Sequence, residues 1–106
     1  MSGYCRGVII VTGTLTGSDG TIAELLELSV AHVLRSRQEP GCITHAVARD
    51  VEDPLTLSFV ERWADIGALR AHFAVPDSGE FVERAGALSA RPPKLEIYDA
   101  TPMPVR

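Results

Sequence analysis

The sequence has few cysteines and aromatic residues, and it has no long apolar run. Cys5 and Cys42 are far apart, and the chain has no Cys-x-x-Cys pair and no Cys/His cluster. These absences exclude a disulfide framework and indicate no metal site, so we expect both thiols to be buried and reduced. The β-branched run at residues 8–11 is too short for a secretory signal or a membrane span. We therefore expect a cytoplasmic protein.

An excess of basic residues is also missing. The chain has 106 residues, with ten Lys and Arg against fourteen Asp and Glu, which gives a net charge of -4. The basic residues are scattered, which disfavours nucleic acid as a partner. The length fits one domain over residues 1–106, and 45% hydrophobic with 23% charged residues is typical of a folded globular protein.

The apolar pattern predicts six elements in the order strand, helix, strand, strand, helix, strand. They are a strand at residues 4–14, a helix that ends at Pro40-Gly41, strands at 42–50 and 55–63, short helical segments after Asp65 and at 80–88, and a strand at 94–100. Residues 76–79 are predicted to interrupt the helical segments, and residues 101–106 to form an extended arm. This order is that of an α+β, ferredoxin-like βαββαβ fold with helices on one face of an antiparallel sheet.

Side-chain spacing predicts which faces are buried. In the first helix the predicted core positions are Ile22, Leu25, Leu26, Val30, Val33 and Leu34. His32 lies beside polar positions and is predicted to be a surface residue, whereas Ile43, His45 and Val47 are predicted to share the inner face of the second strand. The opposite sheet face also carries apolar residues, which predicts a homodimer packed sheet to sheet, with the tail available to cross over the partner.

A candidate site lies on the third strand and the helix that follows it. Phe59, Glu61 and Trp63 share one strand face, and His72 follows on the helix. A charged, unpaired Glu61 among apolar residues would cost several kcal/mol, so it needs a raised pKa or a partner, either His72 or an arginine. Such a pair either ties strand to helix or forms the polar corner of a pocket that orients or deprotonates a ligand.

The roles of three further residues remain open at this stage. Trp63 is either core or the wall of a pocket for a flat substrate, and His45 is either a satisfied core histidine or a titratable group in the pocket. Tyr98 could aim its hydroxyl into a cavity. The chain has no phosphate-binding glycine loop and no Gly-x-Ser-x-Gly elbow, so nothing indicates nucleotide binding or serine hydrolase chemistry.

Residues 39–73 resemble the central signature of the antibiotic biosynthesis monooxygenase (ABM) domain, a group that includes small quinol monooxygenases. The matching elements are Glu39-Pro40-Gly41-Cys42, the turn at residues 50–54, Glu61-Arg62-Trp63 and Ala68-Leu69-Arg70-Ala71-His72. Each piece alone is weak, but the combination is specific. With the flanking strands in register, the resemblance spans nearly the whole chain.

The resemblance implies a dimeric α+β barrel that oxidises a hydroxylated aromatic or quinol with O2, without metal, flavin or haem. An electron-rich phenolate can pass an electron to O2, and the radicals can recombine in a dry cavity. The resemblance suggests His72, Glu61 and Trp63 as catalytic residues. The expected substrate-binding residues are His45, Phe59, Phe73 and Tyr98.

Two departures and two alternatives qualify the resemblance. Many relatives have Pro-His-Phe where this chain has Pro76-Asp77-Ser78, so a second pocket histidine is missing and a quinol-oxidising role is less strongly implied. Residues 80–88 contain no histidine, so haem is not expected. The same domain also serves as an isomerase of a small phosphorylated sugar-like signal, and some copies have no known activity. The alternatives are therefore a small-molecule isomerase and a non-catalytic dimeric binding or stress-response module.

Overall fold

The computed structural model describes residues 7–105 as four strands and three helices. These are β1 (Val8–Thr16), α1 (Ile22–Ser36), β2 (Cys42–Arg49), β3 (Thr56–Trp63), α2 (Ile66–Ala74), α3 (Pro76–Leu88) and β4 (Lys94–Ala100). All strand pairs are antiparallel, and the sheet order is β2-β3-β1-β4. The predicted ferredoxin-like α+β fold is confirmed. Within the described residues, no helix is long and apolar enough to cross a membrane.

The helix boundaries confirm one prediction and correct another. Asp65 caps α2, where its Oδ1 accepts a hydrogen bond from the backbone N–H of Ala68 at 2.8 Å. Residues 76–79 do not interrupt the helical segments, because α3 begins at Pro76 and runs for 13 residues. Proline suits the first helical position, where its fixed φ is helical and its missing N–H is not needed. The predicted start of the first strand, at Tyr4, lies outside the described residues.

The buried face of α1 differs from the predicted face. Its buried residues are Leu25, Ser29, His32, Val33 and Ser36. Val30 and Leu34 are instead 42% and 53% exposed, and the prediction that His32 lies on the surface is wrong. Ser29 and Ser36 can be buried because each hydroxyl donates to the backbone carbonyl four residues earlier, at 2.7 Å.

A β-bulge changes which residues of β2 point inward. The pairing with β3 shifts register between Cys42 and Thr44, which inserts one extra residue. Cys42 therefore packs against the core, and Ile43, which was predicted to point inward, is 47% exposed. His45 is buried as predicted, since it follows the bulge. Cys42 is half-buried, and burial raises the pKa of its thiol; Cys5 lies outside the described residues.

The core between sheet and helices consists of two apolar clusters. The first contains Leu15, Leu25, Val33, Leu57, Phe59 and Ala85, and the second contains Ile9, Val11, Trp63 and Leu69. Along β3, Phe59 belongs to the first cluster and Trp63 to the second. Glu61 is the inward-facing residue between them, so a buried carboxylate lies where the two clusters meet.

Candidate active site

A cavity of about 180 Å³ lies between the sheet and the helices. Most of its lining is apolar and includes Leu15, Phe59, Phe73, Phe81, Val82 and Leu95. His32, Glu61 and His72 are among its polar lining residues. The ring centroids of His32 and His72 are 5.3 Å apart, so these polar groups form one patch in an otherwise apolar space. Such a cavity suits a small apolar ligand with a polar group at one end.

Glu61 is stabilised as a carboxylate by two neighbours. The indole N–H of Trp63 donates to Glu61 Oε1 at 2.9 Å, and His45 Nε2 lies 3.3 Å from the same oxygen. Burial raises the pKa of Glu61, but its contacts with His45 and Trp63 outweigh burial, so the pKa lies below its usual value. The predicted partners, His72 or an arginine, are wrong because the β2–β3 register places His45 opposite Glu61.

The partner of His72 is Glu39, whose Oε1 lies 2.8 Å from His72 Nδ1. Glu39 is in the loop before β2, which turns at Gly41 with φ of +82°. A Cβ at Gly41 would lie 2.5 Å from the Cβ of Ala68 on α2, so only glycine lets this loop pack so closely on the helix that carries His72. A carboxylate only accepts hydrogen bonds, so Nδ1 of His72 carries the proton and neutral His72 has a free lone pair on Nε2.

His32 has the opposite arrangement of donor and acceptor. Nη2 of Arg35 lies 2.7 Å from His32 Nδ1. A guanidinium only donates, so Nδ1 accepts and the proton of His32 is on Nε2. Burial, with the charges of His45, His72 and Arg35, lowers the pKa of His32 to about 3. His32 is therefore a neutral donor at physiological pH, and its ring is held parallel to Phe81 at a centroid distance of 4.1 Å.

His45 completes a cluster of three buried imidazoles. Its ring centroid lies 5.3 Å from that of His32 and 5.6 Å from that of His72. His45 is 1% exposed, and neither of its ring nitrogens forms a hydrogen bond with the residues described in the structure. A buried nitrogen without a partner is unusual, because it loses its hydrogen bonds to water without replacement.

The predicted site residues are distributed over four places. Phe59, Phe73, Glu61 and His72 line the cavity, whereas His45 lies opposite Glu61 on the neighbouring strand and does not line it. Trp63 is fully buried in the second apolar cluster and is not a wall of the cavity. Its ring centroid is 4.6 Å from that of His72, so the indole packs against this imidazole and also donates to Glu61.

Tyr98 does not point into the cavity. It pairs with Ile10 on the outer face of the sheet, while the alternate β4 residues Leu95 and Ile97 pair with the inward-facing positions of β1. The alternation of a strand therefore places the Tyr98 hydroxyl on the side opposite the helices. Its predicted place in this cavity is wrong.

The sequence-based reasoning missed Glu39, His32 and Arg35. His32 follows Ser29 by three residues, and both lie on the buried stripe of α1. That stripe is hard to recognise because serines occupy two of its positions. Glu39 is within the quoted signature, but a loop residue gives no periodic signal, and its contact with His72 spans 33 residues. Arg35 could be recognised only after His32 was placed.

The chain is thus a ferredoxin-like α+β protein with an apolar cavity whose polar patch contains two histidines and one carboxylate. The family model for antibiotic biosynthesis monooxygenases matches residues 8–84, and the chain belongs to this family. The uncharacterized protein sll1783 of Synechocystis sp. is 34% identical over 90 residues, which cover 85% of this chain. That alignment covers only 61% of the Synechocystis protein, so the chain spans less than two thirds of that relative.

Two solved structures are similar in both sequence and fold. A candidate antibiotic biosynthesis monooxygenase from Deinococcus radiodurans is 30% identical with a TM-score of 0.83, covering 87% of this chain and 91% of that chain. A further antibiotic biosynthesis monooxygenase is 28% identical with a TM-score of 0.81, covering 89% of this chain and 99% of that chain. These similarities agree with the family match.

Proposed function

We propose that this protein is a cofactor-independent monooxygenase that oxidises a hydroxylated aromatic or quinol with O2. The main support is the polar patch of the cavity, where a hydrogen-bond acceptor and a neutral donor are held side by side. The acceptor is Nε2 of His72, and the donor is the Nε2–H of His32. Membership of the antibiotic biosynthesis monooxygenase family supports the same reaction class.

The size of the cavity favours a substrate with one aromatic ring. A dry cavity of ~150 Å³ lined by apolar side chains can hold benzene. The cavity of about 180 Å³ in this protein therefore has room for one hydroxylated ring beside Phe59 and Phe81. Phe73, Val82 and Leu95 line the cavity and remain exposed, so a substituent on the ring can extend out of the cavity past these residues.

In the proposed reaction, His72 removes the phenolic proton through Nε2, and Glu39 stabilises the resulting imidazolium. The phenolate passes one electron to O2, which gives an aryloxyl radical and superoxide. The His32 Nε2–H donates to superoxide, which now carries the negative charge, without adding a charge of its own. The radicals join at a ring carbon that bears hydrogen and give a peroxide anion. The imidazolium of His72 returns its proton to this anion, and the resulting hydroperoxide loses water. One oxygen atom then stays in the product as a carbonyl, and the other leaves as water.

The outer face of the sheet supports a homodimer. Val60 on β3 and Tyr98 on β4 are 49% and 46% exposed on that face, although both belong to sheet strands. A second copy packed sheet to sheet would remove these side chains from water. The segment at residues 101–105 has neither helix nor strand and is exposed, so it is available to cross over the partner.

The stoichiometry of oxygen consumption tests the proposed reaction. We expect the chelator-treated protein to consume one O2 per monocyclic hydroquinone and to release no hydrogen peroxide, so that adding catalase returns no oxygen. A return of half the oxygen would indicate a simple oxidase and contradict the proposal. Solvent deuterium incorporated into an added metabolite without oxygen uptake would instead indicate the isomerase alternative.

A further inference from the structure

The three buried histidines can bind an ion that the proposed oxidation does not require. We propose that His32, His45 and His72 form a site for a divalent transition metal of the Zn²⁺ type, with an open coordination position toward the cavity. Each residue can offer one ring nitrogen, and these atoms all lie within 4.8 Å of one another. Three protein ligands and one open position are the arrangement of many zinc sites that bind a small molecule.

The geometry of the cluster is close to that of an occupied site. Zinc–nitrogen bonds of ~2.0–2.1 Å place two ligand nitrogens roughly 3.3 Å apart in a tetrahedral site. The nitrogens here therefore need to approach by at most about 1.5 Å. The three residues are carried by three different elements, α1, β2 and α2. Small ring rotations on a fixed framework can supply this approach.

His45 provides the strongest reason to expect an ion in this cluster. It is almost completely buried; its Nε2 lies 3.3 Å from Glu61 Oε1 without hydrogen-bond geometry, and its Nδ1 has no partner among the described residues. A metal ion would satisfy one of these nitrogens. The Glu61 carboxylate, 3.3 Å from His45 Nε2, would offset part of the positive charge of the ion.

His72 already has the outer partner that metal-binding histidines commonly have. Glu39 Oε1 accepts from its Nδ1 at 2.8 Å, which leaves Nε2 free to coordinate. Carboxylate–histidine–metal arrangements of this type fix the ring and make its free nitrogen a stronger ligand. Glu39 is thus a positioning residue for the proposed metal site.

Arg35 opposes metal binding and gives the proposal a specific test. Its hydrogen bond to His32 Nδ1 places the proton on Nε2, so coordination through Nε2 requires Arg35 to turn away and the proton to move to Nδ1. Arg35 is part-exposed, and Asp77 Oδ2 is 3.8 Å from its Nε, so a second partner is available. Removing the positive charge at this position should therefore strengthen metal binding.

Metal binding and the proposed base role of His72 exclude each other, because both use Nε2. If the proposed function is correct, Zn²⁺ then inhibits the oxidation. Binding of the ion itself does not depend on the proposed function, since it is measured without substrate. Failure of the oxidation would leave the metal site intact, and failure of metal binding would leave the oxidation intact.

The test is titration of the chelator-treated full chain with Zn²⁺ by calorimetry and with Co²⁺ by absorption. We expect one ion per chain and a tetrahedral Co²⁺ spectrum without a sulfur-to-cobalt charge-transfer band. Glu39→Gln should weaken binding by ~10–100-fold, and Arg35→Met should strengthen it. His45→Asn should abolish stoichiometric binding, whereas Cys42→Ser should leave it unchanged.

The three histidines of the cluster are the only histidines in the sequence, so no other imidazole can replace His45 in the His45→Asn variant. Circular dichroism of each variant checks that it is folded. If His45→Asn does not fold, the proposal is still tested by the Co²⁺ spectrum of the unmodified chain and by the opposite effects of Glu39→Gln and Arg35→Met on metal affinity. The proposal would be overturned by a Co²⁺ spectrum that is not tetrahedral or by the presence of thiolate charge-transfer bands. Equal affinities of Glu39→Gln and Arg35→Met for the metal would also overturn it.

Discussion

Glu39 Oε1 lies 2.8 Å from Nδ1 of His72, so a loop carboxylate orients the imidazole at the polar end of the cavity. The strand carboxylate, Glu61, has a different set of neighbours: it accepts from Trp63 and lies beside His45. The two carboxylates therefore have separate tasks. In the proposed reaction Glu39 supports His72 as the base, whereas Glu61 holds the side chains of Trp63 and His45 in place.

The first prediction concerns the support of His72 by Glu39. Glu39→Gln replaces a charged acceptor by a neutral amide, which stabilises the imidazolium of His72 less well. We expect kcat to fall by ~10–100-fold, taking the range measured for comparable outer partners of functional histidines, with little change in KM. The pH profile of kcat should also shift. Glu80→Gln, at an exposed position of α3, is the matched control and should leave both parameters unchanged.

The second prediction concerns Trp63 as a core residue that also satisfies Glu61. Trp63→Phe keeps most of the apolar volume but removes the indole donor, which should cost about 1–3 kcal/mol of unfolding free energy in urea denaturation. Trp63→Ala also leaves a void and should cost about 3–5 kcal/mol. A stability loss for Trp63→Ala no larger than that of Val82→Ala, at an exposed position, would contradict the core assignment.

The third prediction concerns stability at acid pH. The pKa of His32 is about 3 in the folded protein and near 6.5 in the unfolded chain, so between these values the unfolded state binds more protons. The stabilising effect of neutral His32 is complete above pH 6.5 and is lost as the pH falls toward 3, by at most about 1.4 kcal/mol per pH unit.

Urea denaturation between pH 6.5 and 5 checks this prediction. Glu61 contributes little there, because its pKa lies below its ordinary value. We expect His32→Gln to lose less stability than the unmodified chain over the same pH interval. Equal slopes for the two proteins would show that His32 is not held neutral by the fold.

The fourth prediction concerns the proposed homodimer. Light scattering should give about twice the chain mass of 11.4 kDa. Val60→Glu places a charge on the apolar outer face of the sheet and should shift the mass to that of one chain. Val51→Glu, in the exposed turn before β3, is the control and should not change the mass. A monomeric unmodified chain would contradict sheet-to-sheet pairing.

Much of the fold could be predicted because strand alternation and turn residues are local signals. β4 begins and ends where the pattern predicted, and β2 and β3 lie within the two strands predicted at residues 42–50 and 55–63. The errors have specific physical causes. The bulge after Cys42 shifts the alternation that the sequence weakly indicates, and Pro76 begins a helix that it was expected to interrupt.

The site was less predictable because its contacts span long distances in the chain. Sequence reasoning placed Glu61 and His72 in one polar region but offered His72 or an arginine as the partner of Glu61, since nothing local indicates that Glu39 reaches His72. The histidine cluster joins α1, β2 and α2, and His32 belongs to it only because buried serines rotate the inner face of α1. Such convergence depends on tertiary packing and not on spacing along the chain.

Oxygen uptake by the chelator-treated protein with monocyclic hydroquinones tests the central claim most directly. The account predicts uptake above the rate of autoxidation that rises as the substrate ionises. His72→Gln should abolish this uptake, while Arg70→Gln, at an exposed position of the same helix, should retain it. No uptake by the unmodified protein, or equal uptake by His72→Gln, would contradict the account.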